Sequence, residues 1–143
     1  MKAAGGEESK MSIFYIHMSL LVLMCILVVS ALIVAKKRGE GWFPKHRILA
    51  ILGVTSGIIG FGFMFYNKIS HGWPHFSTLH AIGGGIALLF LLDTPVLGLL
   101  VTRGKDSLRP VHRILGRITA LLALLVLVTG AFKLLEHLGL MKD

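Results

Sequence analysis

The sequence predicts an all-α membrane protein, an up-down four-helix transmembrane bundle built from two repeated helical hairpins. Three observations indicate this fold class. First, 55% of the 143 residues are hydrophobic and only 15% are charged, a balance too apolar for a soluble domain. Second, four apolar stretches are each long enough to cross a bilayer as a helix, which takes about 20 residues. Third, a seven-residue motif occurs twice.

The four apolar stretches predict membrane spans at about residues 12–36, 44–67, 75–102 and 109–135. They form one core, residues 12–136, between an N-terminal tail (1–11) and a C-terminal tail (137–143). The first stretch is too long for the apolar region of a signal peptide, and it ends in a basic cluster, residues 36–38, with no small-residue cleavage site before it. We therefore expect it to remain as a span.

The positive charges predict the orientation of the bundle. Two of the three connections are rich in Lys and Arg, whereas the second connection holds only Lys68. The first basic group is Lys36, Lys37, Arg38, Lys45 and Arg47, and the second is Arg103, Lys105, Arg109, Arg113 and Arg117. Because short basic loops stay cytoplasmic, we expect a multi-pass protein of the plasma (inner) membrane with both termini on the non-cytoplasmic side. The net charge of +8 is then an orientation signal, and we expect no nucleic-acid partner.

An internal repeat relates the two halves of the chain. Residues 44–50 (PKHRILA) recur 66 positions later as residues 110–116 (PVHRILG). Upstream, Ile16 and His17 recur 63 positions later as Leu79 and His80. Each copy would cross the membrane twice, so the copies share one topology and are expected to be related by a pseudo-two-fold axis along the membrane normal.

Each predicted span carries one deep or interfacial histidine, and these four histidines match in depth as two pairs. His17 and His80 lie near the outer ends of spans one and three, and His46 and His112 open spans two and four. Spans one and three are diagonal in an up-down bundle, as are two and four, so each pair can meet at the bundle axis. Histidines at such depths are costly and mark functional sites, although a single one also suits a hydrogen-bonded helix contact.

Two neutral imidazoles that face each other are the ligand set of a six-coordinate haem iron. A non-haem metal requires three or four ligands at one level, including carboxylates or thiolates, and neither pair has such neighbours in the sequence. We therefore predict two haem b groups, an outer one held by His17 and His80 and a cytoplasmic-side one held by His46 and His112. Small residues stand four positions after three of these histidines, at Ala50, Gly84 and Gly116, whereas Leu21 is the exception.

Several segments resemble one known family. Residues 76–83 (FSTLHAIG) are similar to a Ser-Leu-His-Ser-Trp-Leu-Gly stretch, and residues 31–36 (ALIVAK) to an Ala-Leu-Leu-Val-Tyr-Arg stretch, of the eukaryotic-type (DOMON-associated) cytochrome b561 family. Residues 110–116, followed by Thr129 and Gly130, also fit. The resemblance covers about residues 14–133 and implies a four-helix core with two b haems, one near each membrane face, ligated from alternating helices.

The sequence departs from that family pattern in two ways. The eukaryotic members carry one more helix on each side of the core, which does not fit here, so the chain resembles a minimal core. Ala35 and Lys36 replace the Tyr and Arg of a motif associated with cytosolic ascorbate. The separate bacterial b561 family takes two ligands from its last helix, whereas span four has only His112 in its interior.

Further residues are candidates for secondary roles. Arg47, Arg113 and Arg117 would pair with propionates of the cytoplasmic-side haem or attract an anionic donor, or they serve topology alone. Asp93, the one acid inside a span, would accept an imidazole N–H or carry a proton. The alternative is that Asp93 satisfies backbone groups freed by Pro95. His75, which with His71 and His137 lies on the outer side, would contact the outer haem or a substrate, or is a solvated loop histidine.

These features predict a di-haem transmembrane electron-transfer protein, acting as an oxidoreductase or an electron carrier, with reduction of ferric iron or another outer acceptor as one role. The alternative is a haem-bearing anchor subunit of a larger redox complex that exchanges electrons with quinol. A third reading is a haem-free scaffold or transporter. The expected partners are membrane lipid, an ascorbate-like reductant or quinol as donor, and ferric iron or a partner cytochrome as acceptor. The protein is expected to act as a homodimer or as a subunit of a complex.

Overall fold

The computed structural model describes the backbone of residues 4–140 and the side chains of residues 12–136 and 138–140. Within this part of the chain there are four α-helices, one 3₁₀ turn (Asp106–Leu108) and no strand. The helices are α1 (Ala4–Lys37), α2 (Trp42–Ser70), α3 (Leu79–Thr102) and α4 (Arg109–His137). Each is long and apolar enough to cross a membrane, so the predicted fold class is confirmed.

Two helix starts differ from the predicted spans by four residues or more. Helix α1 begins at Ala4, so part of the expected N-terminal tail continues the helix. Helix α3 begins at Leu79, later than the predicted start at residue 75, because Thr78 caps it with a hydroxyl that accepts a hydrogen bond from the Ala81 N–H at 3.2 Å. The other two helices begin with a proline in the first turn, Pro44 in α2 and Pro110 in α4, where a missing N–H costs nothing.

The helices pack as two hairpins, α1 against α2 and α3 against α4, and the hairpins touch each other more lightly through α1–α4 and α2–α3. In the described backbone, no Cα atoms of α1 and α3 approach within 8 Å, and the same holds for α2 and α4. The diagonal arrangement predicted for the histidine-bearing helices is therefore present. Glycine allows the close α1–α2 contact, since a Cβ on Gly60 would lie 3.0 Å from a Leu21 methyl group.

The interior is a narrow apolar layer midway along the bundle. Met24, Cys25, Leu91 and Ala123, contributed by α1, α3 and α4, are buried together. Outside this layer, large apolar side chains are exposed along all four helices, for example Leu89 at 62% and Leu121 at 58%. An outer surface that is apolar all round is compatible with lipid rather than water.

The two ends of the bundle differ. The Lys- and Arg-rich connections α1–α2 and α3–α4 lie at one end, which we call the basic end. The start of α1, the end of α4 and the α2–α3 loop lie at the other, which we call the terminal end. The interior histidines lie towards these two ends, one pair at each.

Candidate functional site

His46 and His112 meet near the basic end. Their ring centres are 6.3 Å apart and their planes are inclined at 81°. The His46 Nδ1–H donates a hydrogen bond to the Ala31 carbonyl at 3.0 Å, and the His112 Nδ1–H donates to the Thr94 carbonyl at 3.0 Å. Because a carbonyl oxygen only accepts, each Nδ1 carries the proton and each Nε2 keeps its lone pair for a metal.

His17 and His80 form the corresponding pair near the terminal end, within electrostatic range of each other. The His17 Nδ1–H donates to the Gly60 carbonyl at 2.8 Å. The His80 Nδ1–H donates to the Thr129 hydroxyl at 3.1 Å, and this hydroxyl donates in turn to the Val126 carbonyl at 3.0 Å. All four imidazoles are therefore held in the same tautomer by the other helix of their own hairpin.

One spacing recurs in all four helices. The histidine of a helix lies 14 positions before the residue whose carbonyl receives the hydrogen bond from the other helix of the same hairpin: 17 and 31, 46 and 60, 80 and 94, 112 and 126. Three of these hydrogen bonds are direct, and the fourth, to the Val126 carbonyl, runs from His80 through the Thr129 hydroxyl. Fourteen residues are close to four helical turns, so both groups lie on one face, about 21 Å apart along the axis. The predicted duplication thus extends from the sequence to the hydrogen bonds of the histidines.

The arrangement fits a haem with two axial imidazoles. An iron bonded to two opposed imidazoles at about 2 Å each brings the ring centres roughly 6 Å apart, which agrees with the His46–His112 distance of 6.3 Å. Among the residues with described side chains, no three His, Cys, Asp or Glu side chains come together to hold an ion. Each pair offers two nitrogen donors whose other nitrogens are already fixed, which is the donor set of a bis-histidine haem.

Two glycines lie against histidine rings, a contact that the sequence did not predict, although Gly130 belongs to the segments that resemble the family. A Cβ on Gly98 would lie 3.0 Å from the His112 Cε1, and a Cβ on Gly130 would lie 3.0 Å from the His80 Cε1. Each glycine stands 18 positions after the histidine of its own helix, at 80 and 98 and at 112 and 130. A search for small residues at this spacing could have found them.

Gly84 and Gly116, two of the small residues that the sequence analysis identified, have more space around their Cβ positions than Gly98 and Gly130. A Cβ on Gly116 would lie 3.7 Å from a Thr94 methyl group, and a Cβ on Gly84 would lie 3.9 Å from Val126. Beside His80, a cavity of about 360 Å³ is lined by side chains that include Thr78, Phe132 and Lys133. The His80 ring therefore has open space on one side, whereas Gly130 packs closely against it on another.

The predicted arginines surround the basic end. Arg47, Arg113 and Arg117 are all exposed, and Arg113 lies within electrostatic range of His112. Within the described side chains, none of the three forms an ion pair with an acidic residue. Their charges remain available to an anionic group at this end.

Asp93 does not accept a hydrogen bond from either imidazole of the basic-end pair, because the Ala31 and Thr94 carbonyls take both Nδ1–H groups. Its side chain is exposed on α3, with no hydrogen bond or ion pair to any described residue. Near Pro95, the Thr94 hydroxyl donates to the Phe90 carbonyl at 2.8 Å, and the Thr119 hydroxyl lies 2.8 Å from the Thr94 hydroxyl.

The α2–α3 loop brings His75 against α2. Its ring centre lies 4.6 Å from that of Phe65, and its Nδ1 is buried with no hydrogen-bond partner among the described residues. Lys68 fixes the loop by donating to the His75 carbonyl at 3.2 Å. His71 instead donates from Nδ1 to the Asn67 carbonyl at 2.8 Å. The side chain of His137 lies outside the described residues.

A bundle of membrane-spanning helices whose interior histidines pair across the axis is typical of membrane-bound b-type cytochromes. The sequence model of one family, eukaryotic cytochrome b561, matches residues 11–137. The chain belongs to this family, and it is therefore a transmembrane haem-b electron-transfer protein, of which the described residues form four helices. A search of curated proteins and a search of solved structures each found no match.

Proposed function

We propose that the chain carries electrons between the two membrane faces through two b haems, one held by His46 and His112 and one by His17 and His80. The observation that carries this proposal is the fourfold contact in which a neighbouring helix fixes Nδ1. A single histidine with such a contact would be an ordinary helix packing interaction. Four of them in two diagonal pairs, three made directly to a carbonyl and one through the Thr129 hydroxyl, support two ligand sets.

The residues of the chain then have defined tasks. The carbonyls of Gly60, Ala31 and Thr94 and the Thr129 hydroxyl orient the imidazoles and increase their basicity as ligands. When bound, haem b supplies one-electron chemistry at iron. Between the two pairs, the buried Met24 and Leu91 side chains pack on Gly57 and exclude water from the centre of the bundle.

The ends of the bundle define the two faces in this proposal. The basic end faces the cytoplasm of a plasma (inner) membrane and both termini lie on the opposite side, because basic loops stay cytoplasmic. Arg47, Arg113 and Arg117 neutralise propionates or draw an anionic donor to this end. At the terminal end, the Nδ1 of His75 is buried and has no hydrogen-bond partner among the described residues. This nitrogen contacts the outer haem or the acceptor.

The donor is an ascorbate-like reductant or a quinol, and the acceptor is ferric iron or a partner cytochrome. Purified protein in liposomes tests this, with ascorbate sealed inside and ferricyanide or ferric citrate outside. We expect reduction of the outside acceptor, and we expect its loss in His80→Ala, which removes one ligand of the terminal-end pair. If no outside acceptor is reduced but quinol reduces the protein, the alternative role as the haem-bearing anchor subunit of a larger complex replaces this one.

A further inference from the structure

Asp93 and Arg117 are charged side chains that lie deep within membrane-spanning helices, α3 and α4 respectively. Among the described side chains, no other Lys, Arg, Asp or Glu stands eight or more positions from both ends of its helix. Both residues are exposed, and neither forms an ion pair with another described residue. An exposed side chain at this depth faces lipid, where a charge without a partner is costly.

The two charges lie at nearly the same depth. Asp93 stands nine residues before the end of α3 and Arg117 eight residues after the start of α4, which places them about 13 and 12 Å from the basic end. The Thr94 and Thr119 hydroxyls, 2.8 Å apart, fix the register of the two helices independently. By that register the Cα levels of Asp93 and Arg117 differ by about 4.5 Å, which the long arginine side chain can span.

The directions of the two side chains keep them apart within one chain. Thr119 is buried against α3, where its hydroxyl meets that of Thr94. Arg117 precedes Thr119 by two residues, a turn of about 200°, so it points away from α3. Asp93 follows the buried Leu91 by two residues, and by the same turn it points outwards from α3. The outer surface of α4 therefore separates the two charges.

That surface, which we call the α4 outer face, is apolar and has the spacing of a helix-packing seam. Its residues are exposed and recur at intervals of four, three and four positions, as Ile114, Ile118, Leu121 and Leu125. Such a spacing allows a second helix to pack along the first. The negative charge on one side of the seam and the positive charge on the other favour a partner with the complementary arrangement.

The first hairpin carries neither charge. The repeat places Ser30 at the position that corresponds to Asp93, and Ile51 at the position that corresponds to Arg117. Since the duplicated hairpin forms without these charges, neither of them is needed for the fold. Their presence in the second hairpin alone indicates a partner outside the hairpin.

We propose that the α4 outer face is the contact between two copies of this chain, in which Asp93 of each copy pairs with Arg117 of the other. A two-fold axis along the membrane normal keeps every residue at the same depth in both copies, so one pair of matched depth is formed twice. Both pairs form at once, and neither charge is left facing lipid. The guanidinium can hold the carboxylate through two parallel hydrogen bonds, and the low dielectric of the bilayer strengthens the attraction.

Charge reversal tests the proposal on haem-loaded protein, by sedimentation equilibrium in a density-matched detergent. We expect the parent to sediment as a dimer. Asp93→Arg and Arg117→Asp should each weaken self-association at least about tenfold, because each places like charges opposite one another. The double variant Asp93→Arg/Arg117→Asp restores opposite charges and should dimerise as the parent does. A monomeric parent, single variants that dimerise normally, or a haem-loaded double variant that does not recover would overturn the proposal.

Disulfide cross-linking in native membranes tests the contact without charge reversal. Asp93→Cys and Arg117→Cys are placed on differently tagged copies that lack the buried Cys25 (Cys25→Ala), so that one ion pair of the dimer remains. A mild oxidant should join the two tags. The matched control pairs Asp93→Cys with Ile51→Cys, which is exposed on α2 nine residues after the start of that helix. Equal cross-linking in the control, or none between positions 93 and 117, would contradict the interface.

Neutral variants separate the ion pair from a role of Arg117 at a haem propionate. Asp93→Ala and Arg117→Gln remove the same two ion pairs, so they should weaken self-association equally, and the variant with both changes should be no weaker than either. If Arg117→Gln shifts the basic-end midpoint potential but dimerises as the parent does, Arg117 serves the haem and the proposal is wrong. None of these measurements depends on transmembrane electron transfer, so the two proposals can fail separately.

Discussion

His46 and His112 approach each other across the bundle with ring centres 6.3 Å apart, and each turns its Nδ1 away towards a carbonyl of the adjacent helix, Ala31 or Thr94. The two nitrogens left over, one on each ring, are the only ones that can bind a shared atom. This relationship has consequences for haem content, redox potential and packing that can be measured separately.

Removal of one histidine should empty one site and leave the other. Since the two pairs are about 21 Å apart along the helices, His112→Ala is expected to bind one haem fewer per chain than the parent, by pyridine haemochrome. Val111→Ala, next to it on α4 and exposed, should retain the parental haem content. An unchanged haem content in His112→Ala would refute the assignment of this pair.

The hydroxyl that holds His80 should tune the terminal-end potential. Thr129→Val removes the acceptor of the His80 Nδ1–H, which lowers the basicity of the imidazole and stabilises reduced iron. A hydrogen bond of about 1 kcal/mol corresponds to roughly 40 mV for one electron, so we expect an upward shift of that order in a redox titration.

Thr94→Val is the matched control for this substitution. Thr94 accepts from His112 through its backbone carbonyl, which the substitution keeps, while its hydroxyl bonds to the Phe90 carbonyl and the Thr119 hydroxyl. The midpoint potential of the basic-end haem in Thr94→Val should therefore equal that in the parent protein. Equal shifts in both variants would show that the hydroxyls act through packing instead of through the imidazole.

Gly98 sets the position of the His112 ring. A methyl group there would lie 3.0 Å from His112 Cε1, closer than ordinary contact, so Gly98→Ala should displace the ring and weaken haem retention at the basic end. Gly62 is also helical but has open space around its Cβ position. Gly62→Ala should keep the parental haem content, and a Gly98→Ala protein with equally tight haem would contradict the role of Gly98.

Gly57 is expected to matter for stability. A Cβ there would lie 2.5 Å from a Leu91 methyl group and 2.8 Å from the Met24 Sδ, both in the central apolar layer. Overpacking of this kind costs about 1–3 kcal/mol, so Gly57→Ala should lower the thermal stability in detergent. Gly62→Ala, with a gain of up to about 1 kcal/mol from helix propensity, should not. A Gly57→Ala protein as stable as the parent would mean that Leu91 and Met24 move to accommodate the added methyl group without loss of stability.

Asp93→Asn distinguishes the remaining roles of this acid. Because both basic-end Nδ1–H groups donate to carbonyls and Asp93 is exposed, the substitution should leave the basic-end midpoint potential unchanged. Redox titrations at several pH values measure this. A shift in the potential or a loss of its pH dependence would instead support Asp93 as a proton carrier.

The sequence predicted the four helices, the duplication and the diagonal arrangement because apolar length and a repeated motif are properties of the chain itself. It could not predict which group holds each Nδ1, since that depends on helix rotation and side-chain rotamers. Depth along α3 suggested Asp93 as an acceptor, but depth does not specify the face of the helix, and the carbonyl of the adjacent Thr94 serves His112. Helix α3 begins at Leu79 and not at residue 75, because the Thr78 hydroxyl accepts a hydrogen bond from the Ala81 N–H.

The contacts of Gly98 and Gly130 with the histidine rings could not be predicted for a different reason. Glycines are frequent in membrane helices, and this chain has 17, so no single one stands out before the histidine side chains are in place. The positive φ of Arg38 (+47°) could not be predicted either, because the corresponding Arg103 of the second hairpin has a φ of −88°.

The haem content of the purified chain tests the central claim most directly. Pyridine haemochrome analysis against a quantitative amino-acid determination gives haem b per polypeptide, and electron paramagnetic resonance reports the axial ligands. The account predicts two haems per chain, both low-spin with two imidazoles. One haem per chain, or a high-spin signal from a saturated protein, would contradict it.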